Sequence, residues 1–408
     1  MNTKIRLTLM NFLQYAVWGA WLISLGAYLG NTLKFDGLQI GSFFATMGIA
    51  SLFMPAVMGI IADRWIPAQR LLGLCHLFAA GFITLAATRT DYNSLYTLVL
   101  LSVMFYMPTI ALSNSVAYNA LEKAGLDTVT HFPPIRVWGT VGFICAMWVV
   151  DLGKMGLSAT QLYFSATLGL ILGLYSFTLP NCPINRSGGG KSIVDLLGLR
   201  AFALFKQRKM AIFFIFSMLL GMSLQITNAF ADGYIKSFGD TGIHGAKYLG
   251  TFGVEHSTIL ISLSQISETL CILLIPFFLK RFGIKRVMLI AMFAWVLRFA
   301  LLGAGNPGPG VWMFILSMIV YGVAFDFFNI SGSLFVEKET SAAIRSSARG
   351  VFMIMTNGLG ALIGSYLAGW VVNHYGWPLS WYLFAGFSLV VAIVFAVIFK
   401  YKHDPNRI

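Results

Sequence analysis

Apolar segments of about 20–25 residues recur along the chain between short polar breaks, each long enough to cross a bilayer with some tilt. The pattern predicts spans near 7–30, 38–62, 70–88, 94–118, 134–152, 159–179, 209–233, 256–279, 285–304, 311–335, 348–372 and 379–400. They fall as six, a polar connector, and six more. The connector, residues 180–208 (PNCPINRSGGGKSIVDLLGLRAFALFKQR), opens with Pro, Gly and Ser and closes with a short amphipathic stretch. It reads as a cytoplasmic linker with a surface helix. Its Gly run, 188–190, reads as a tether, because no GxxxxGKS phosphate loop follows it. The expected fold is an all-α membrane protein of twelve transmembrane helices in two six-helix halves. An N-terminal bundle occupies 1–179, and a C-terminal bundle with a short tail occupies 209–408.

One span breaks its own pattern. Residues 317–336, SMIVYGVAFDFFNISGSLFV, carry a single acid, Asp326, near the middle. A carboxylate there costs roughly 2.5–3.5 kcal/mol on insertion scales, so an acid at that depth points to function. At ~100° per residue, Tyr321, Phe325, Phe328, Asn329 and Gly332 share one face, with Asp326 on its flank. A face of aromatics and an amide beside a titratable group suits a small-molecule site. The competing reading is a polar helix–helix contact. Phe327 and Phe328 read as bundle filling.

Composition agrees with the spans. Of 408 residues, 58% are hydrophobic and 11% charged, against about 25% charged in soluble domains. Mean hydropathy is +0.78. The net charge of +13 would suggest nucleic acid in a soluble chain. Here the bases flank apolar spans. With a cytoplasmic N-terminus, the outer loops hold only Lys34, Arg89, Lys154, Lys236 and Lys247. Arg136 and Arg298 lie in or at the rim of spans, and the other bases fall on the cytoplasmic side. The positive-inside rule accounts for this asymmetry, so nucleic-acid binding is set aside. The four cysteines, Cys75, Cys145, Cys182 and Cys271, have no metal or disulfide spacing, and three lie in apolar stretches as small core residues. The apolar run after the N-terminus is too long for a signal peptide and reads as an uncleaved first helix. The six histidines read as peripheral, and no metal site is expected.

Sorted by depth, Glu268 and Asp326 are the acids well inside predicted spans, with Arg298 and, nearer its helix start, Arg136 among the bases. Two charges of each sign suit a proton relay. The fifth span opens at Pro133-Pro134, and Arg136, Thr140 and Phe143 follow on one face: fixed donors, a hydroxyl and a stacking plane. Alternatively, Arg136 snorkels to headgroups. Gln225 and Asn228 stand at i and i+3 in the seventh span. Two amides there can read the edge of a base, or equally act as interhelical glue. Gln265 and Glu268 repeat the spacing in the eighth, where Glu268 can accept from ribose hydroxyls.

The two halves share a weak repeat: GIIADRWIPAQR (59–70) after the second span and PFFLKRFGIKR (276–286) after the eighth. The layout, with Gly59-x-x-x-Asp63-Arg64, resembles the major facilitator superfamily. Longer blocks narrow this: THFPPIRVWGTVGF (130–143), FFIFSMLLGMSLQITN (213–228), SQISETLCILLIPFFLKRFGIK (264–285), AWVLRFAL (294–301) and SMIVYGVAFDFFNISGSLFVEKE (317–339). They closely resemble the nucleoside:proton symporters of enteric bacteria, over nearly the whole chain. The resemblance weakens in 232–255, in the linker and after residue 400. It implies nucleoside contacts at Arg136, Thr140, Phe143, Gln225, Asn228, Gln265, Glu268, Tyr321 and Phe325, and a proton role for Asp326.

The expected function is therefore proton-coupled import of nucleosides such as uridine and adenosine, by alternating access about a midplane site. The protein is expected in the bacterial inner membrane as a monomer in contact with lipid, with both termini cytoplasmic and no cofactor. Asp326, Arg298 and Glu268 are the expected coupling residues, Asp326 pairing with Arg298 when deprotonated. Asp63, Arg64 and Arg70 form an expected cytoplasmic latch, as do Arg345 and Arg349 with Glu337 or Glu339. Two other readings stay open, a proton-coupled sugar symporter and a non-transporting nucleoside sensor. An enzyme is not expected: no nucleophile–base pair appears.

Overall fold

The structure, a computed structural model, describes residues 2–184, 199–341 and 344–401. Among the described residues it is helical, with no strand. The helices are α1 (Thr3–Gly19), α2 (Gly37–Arg64), α3 (Ala68–Ala87), α4 (Tyr92–Lys123), α5 (Thr128–Leu152), α6 (Thr160–Ser176), α7 (Arg208–Ser237), α8 (Ser257–Ala304), α9 (Val311–Glu339), α10 (Arg345–Met353), α11 (Ala361–Tyr375) and α12 (Leu379–Ile398). Among the described residues, nine helical stretches are long and apolar enough to cross a membrane. Helices α1 and α6 are 17 residues each, and α8 is interrupted at Gly283, where φ is 75°.

Helix starts follow the sequence. Asp91 accepts from the Ser94 N–H at 2.9 Å and caps α4. The Ser94 side chain, and after it the Ser94 N–H, holds the Asp91 carboxyl below the usual carboxylate range. Asp127 caps α5 through the Thr130 N–H at 2.8 Å. The first predicted span ends as a helix at Gly19. The chain then turns, and a short helix (Leu25–Ala27) and a π-turn (Tyr28–Thr32) follow. A second π segment, Ile354–Gly360, joins α10 to α11.

The chain forms two compact units. One is Met1–Phe35 with Thr46–Leu197; the other is Asp36–Ala45 with Gly198–Ile408. In the first, α1 packs on α5, and α3 packs on α4 and α6. Glycines allow the α1–α5 approach: a Cβ on Gly142 would run into the Phe12 carbonyl, and one on Gly19 into the Phe143 backbone. In the second, α8 packs along α9 and α12, and α7 lies against the second π segment and α11. The opening turns of α2 belong here, where the Gly37 N–H donates to Asn373 Oδ1 at 2.5 Å.

Of the connector, residues 185–198, including the Gly run, lie outside the described residues. Its start is pinned: Gln69 donates to Asn181 Oδ1 at 2.6 Å and accepts from the Cys182 N–H at 2.9 Å. Its end is a 3₁₀ stretch, Leu199–Lys206. Cys182 is buried and Cys145 exposed, the reverse of what their apolar or polar neighbourhoods suggest. Burial pushes the Cys182 thiol up.

Candidate functional site

In the first unit, α5 brings Arg136 and Phe143 against α1, and Thr140 between them in the chain is half-buried. The Arg136 guanidinium lies over the Tyr15 ring, 3.9 Å from its centroid. Phe143 meets Trp18 edge-to-face at 6.4 Å, and Trp18 lies 5.7 Å from Tyr106. Close behind is a buried polar knot. Gln14 donates to Thr109 Oγ1 at 2.7 Å, His76 Nε2 meets Gln14 Oε1 at 2.8 Å, and Tyr106 donates to the Gln14 carbonyl at 2.8 Å. His76 is fully buried. It is therefore not peripheral as expected. Its partner Gln14 sits 62 positions away, beyond the reach of local pattern.

In the second unit, polar residues of α8 and α9 converge on Tyr321 of α9. Tyr321 lies within electrostatic reach of Glu268, Arg298 and Asp326, with Gln265 close by. Its ring stacks on Phe325 at 5.7 Å and meets Trp295 edge-to-face at 6.0 Å. Close packing of α8 on α9 makes this possible: a Cβ at Gly322 would lie 2.6 Å from Ser267. So the structure joins Gln265, Glu268, Arg298, Tyr321, Phe325 and Asp326 in one neighbourhood.

Arg298 is fully buried. It donates to the Ser317 carbonyl at 2.6 Å, approaches Ser264 and Thr227 at 3.5 and 3.4 Å, and lies over the Tyr321 ring at 4.6 Å. The expected Arg298–Asp326 ion pair is not formed. Backbone, hydroxyls and a ring face occupy the guanidinium instead, while its Nη2 and Asp326 Oδ2 are both buried without a partner. Asp326 is 4% exposed. A buried charge-bearing group left unsatisfied is costly in a packed interior. On α7, Gln225 is buried with its Oε1 unpartnered, and Asn228 is half-buried.

A narrow cleft opens in the second unit between α7, α8, α9 and the second π segment. Phe325, Phe328, Asn329, Thr356 and Asn357 are among its lining residues; Gln225, Asn228, Gln265 and Glu268 are not. Phe328, read as filling, thus faces it. Thr356 and Asn357 were not singled out from sequence. The π turn inserts one residue and resets the face of the helix, which a 3.6-residue period cannot reveal. Asp232 was also missed. It is buried at the end of α7, where it accepts from Ser257 at 2.5 Å and pairs with Lys236 at 2.7 Å. Its i, i+4 lysine was the available signal.

Of the ion pairs expected near the basic loops, those around Glu337 and Glu339 are present. Arg349 and Arg345 reach Glu337 at 2.5 and 3.7 Å, and Lys209 reaches Glu339 at 2.7 Å. Asp63, Arg64 and Arg70 are exposed and form no ion pair with the described residues. Among the described residues no group of His, Cys, Asp and Glu is placed to hold a metal.

A family profile described as nucleoside H+ symporter matches residues 1–404. The nucleoside permease NupG of Escherichia coli K12 is 50% identical, over 99% of this chain and 97% of its own length. The xanthosine permease of the same organism is 49% identical, over 100% and 98%. A crystal structure of the nucleoside transporter NupG superposes with a TM-score of 0.91 at 51% identity, covering 98% of this chain and all of that one. These relatives are permeases, not enzymes, and they bear out the resemblance drawn from the sequence blocks. With a match across nearly its whole length, the chain is a member of the nucleoside H+ symporter family, a membrane transporter family.

Proposed function

We propose that this chain imports nucleosides together with protons across the bacterial cytoplasmic membrane. One observation carries the reading within the family: Asp326 is buried with its Oδ2 unpartnered, and it lies with Glu268 within electrostatic reach of Tyr321. Asp326 takes up and releases the proton, and Glu268 and Arg298 set its electrostatic surroundings. Tyr321, Phe325 and Phe143 stack the base, a contact worth about 1–3 kcal/mol per base in nucleic-acid sites. Gln225, Asn228 and Gln265 read polar edges, Glu268 accepts from ribose hydroxyls, and Arg136 and Thr140 donate.

The spans number twelve in this reading, six on each side of the connector. The nine long apolar stretches are joined by α1 and α6, and α8 is two spans meeting at Gly283. Both termini lie in the cytoplasm, following the basic residues. Each half moves as a body during alternating access. A neutral nucleoside with one proton carries positive charge inward, so the membrane potential contributes ~2.3 kcal/mol per elementary charge per 100 mV.

Labelled uridine uptake into proteoliposomes under an imposed proton gradient tests this. Uptake above the equilibrium level, competed by unlabelled nucleosides, is expected. The near-equal identity to a nucleoside permease and a xanthosine permease makes xanthosine a necessary competitor beside adenosine. Competition by sugars and not by nucleosides would replace this reading with the sugar symporter.

A further inference from the structure

We propose that Tyr15 of α1 is a positioning residue that holds the Arg136 guanidinium face-on, with Gly139 providing the space. The proposal rests on the reading that Arg136 contacts a nucleoside.

The guanidinium carbon sits 3.9 Å above the Tyr15 centroid, well inside the ~6 Å range for a cation over an aromatic face. No hydrogen bond joins Arg136 to another described residue, so the ring is its fixing contact. Tyr15 is itself buried, at 8% exposure, with Tyr106 in electrostatic reach of both Tyr15 and Arg136. The ring is therefore a stable platform and not a mobile side chain that happens to lie near a charge.

Gly139 stands three residues after Arg136 on the same helix face. A Cβ there would lie 2.5 Å from Tyr15 Cδ2 and 2.8 Å from Arg136 Nη1. Any side chain at 139 would displace the ring, the guanidinium or both. Tyr15 and Gly139 thus work as a pair: one supplies the face, the other the room to lie on it.

Stacking of this kind uses the flat face of the guanidinium and leaves its N–H edge available. A long, flexible arginine would otherwise distribute its fork over several rotamers. Held by the ring, the fork presents its donors in one plane to hydroxyl or carbonyl acceptors of a cargo. Helix α1 then contributes to recognition without touching the cargo.

The test is calorimetric titration of uridine into the purified full chain as wild type, Y15L, Y15F, R136A and the Y15L/R136A double variant. Y15L keeps an apolar side chain but no ring face, and roughly tenfold weaker binding is expected, with Y15F within about twofold of wild type. On the R136A background Y15L should add no further loss, because its effect passes through the arginine. Wild-type affinity in Y15L, equal losses in Y15L and Y15F, or a full additional loss on R136A would each overturn the proposal. Should Y15L fail to fold, G139A tests the same contact: weaker binding is expected, and unchanged affinity would overturn it. A wild type that binds neither uridine nor adenosine sinks the functional reading and this proposal with it. Binding by wild type with no effect of Y15L sinks the positioning role alone.

Discussion

Gln225 and Glu268 make the sharpest predictions for single residues. Gln225 Oε1 is buried without a partner, and an unsatisfied amide there has little purpose unless something docks against it. Truncation to alanine should weaken uridine binding roughly three- to tenfold, the size of one neutral hydrogen bond of about 0.5–1.5 kcal/mol. Glu268→Ala should cost more, roughly ten- to a hundredfold, as for a bond to a charged group of about 1.5–3 kcal/mol. Calorimetry on the purified variants checks both, and wild-type affinity in either removes that residue from the site. The costly residues were legible from sequence because a charge inside a greasy stretch stands out by depth alone. Their pairings were not. Arg298 turns to Ser317, Ser264 and the Tyr321 ring while its Nη2 stays unpartnered, and no spacing rule joins positions on different helices. His76 shows the same limit, since its partner on α1 becomes visible only once the bundle is packed.

At the scale of helices, period and length located the spans, while their irregularities stayed hidden. The π segment Ile354–Gly360 reads as ordinary helix, yet it turns Thr356 and Asn357 into the cleft. The first span looks continuous, yet its helix ends at Gly19. Glycines are the clearest case. Gly142 in α5 abuts the Phe12 backbone of α1, whereas a Cβ on Gly81 in α3 would meet nothing. Gly142→Ala should therefore lower the melting temperature in detergent, at an overpacking cost of about 1–3 kcal/mol. Gly81→Ala should be neutral or slightly stabilising, because alanine favours the helix by roughly 0.5–1 kcal/mol. Equal melting temperatures for the two variants would contradict the packing of α1 on α5. Sequence alone sees two glycines in apolar helices and cannot rank them.

For the whole molecule, orientation and energetics follow from the distribution of charge. In the proposed twelve-span arrangement the bases crowd one set of loops, so a reporter active in the cytoplasm should work when fused to either end. Activity of that reporter only at one end would break the even span count. Coupling is the central claim, and Asp326→Asn tests it most directly. Its side chain keeps nearly the same shape but cannot carry the proton. Energised cells with the wild-type chain should concentrate labelled uridine above the external level. Cells with Asp326→Asn should bring uridine only to equilibrium, while the purified variant still binds it. Concentrative uptake by that variant at the wild-type level would contradict the account.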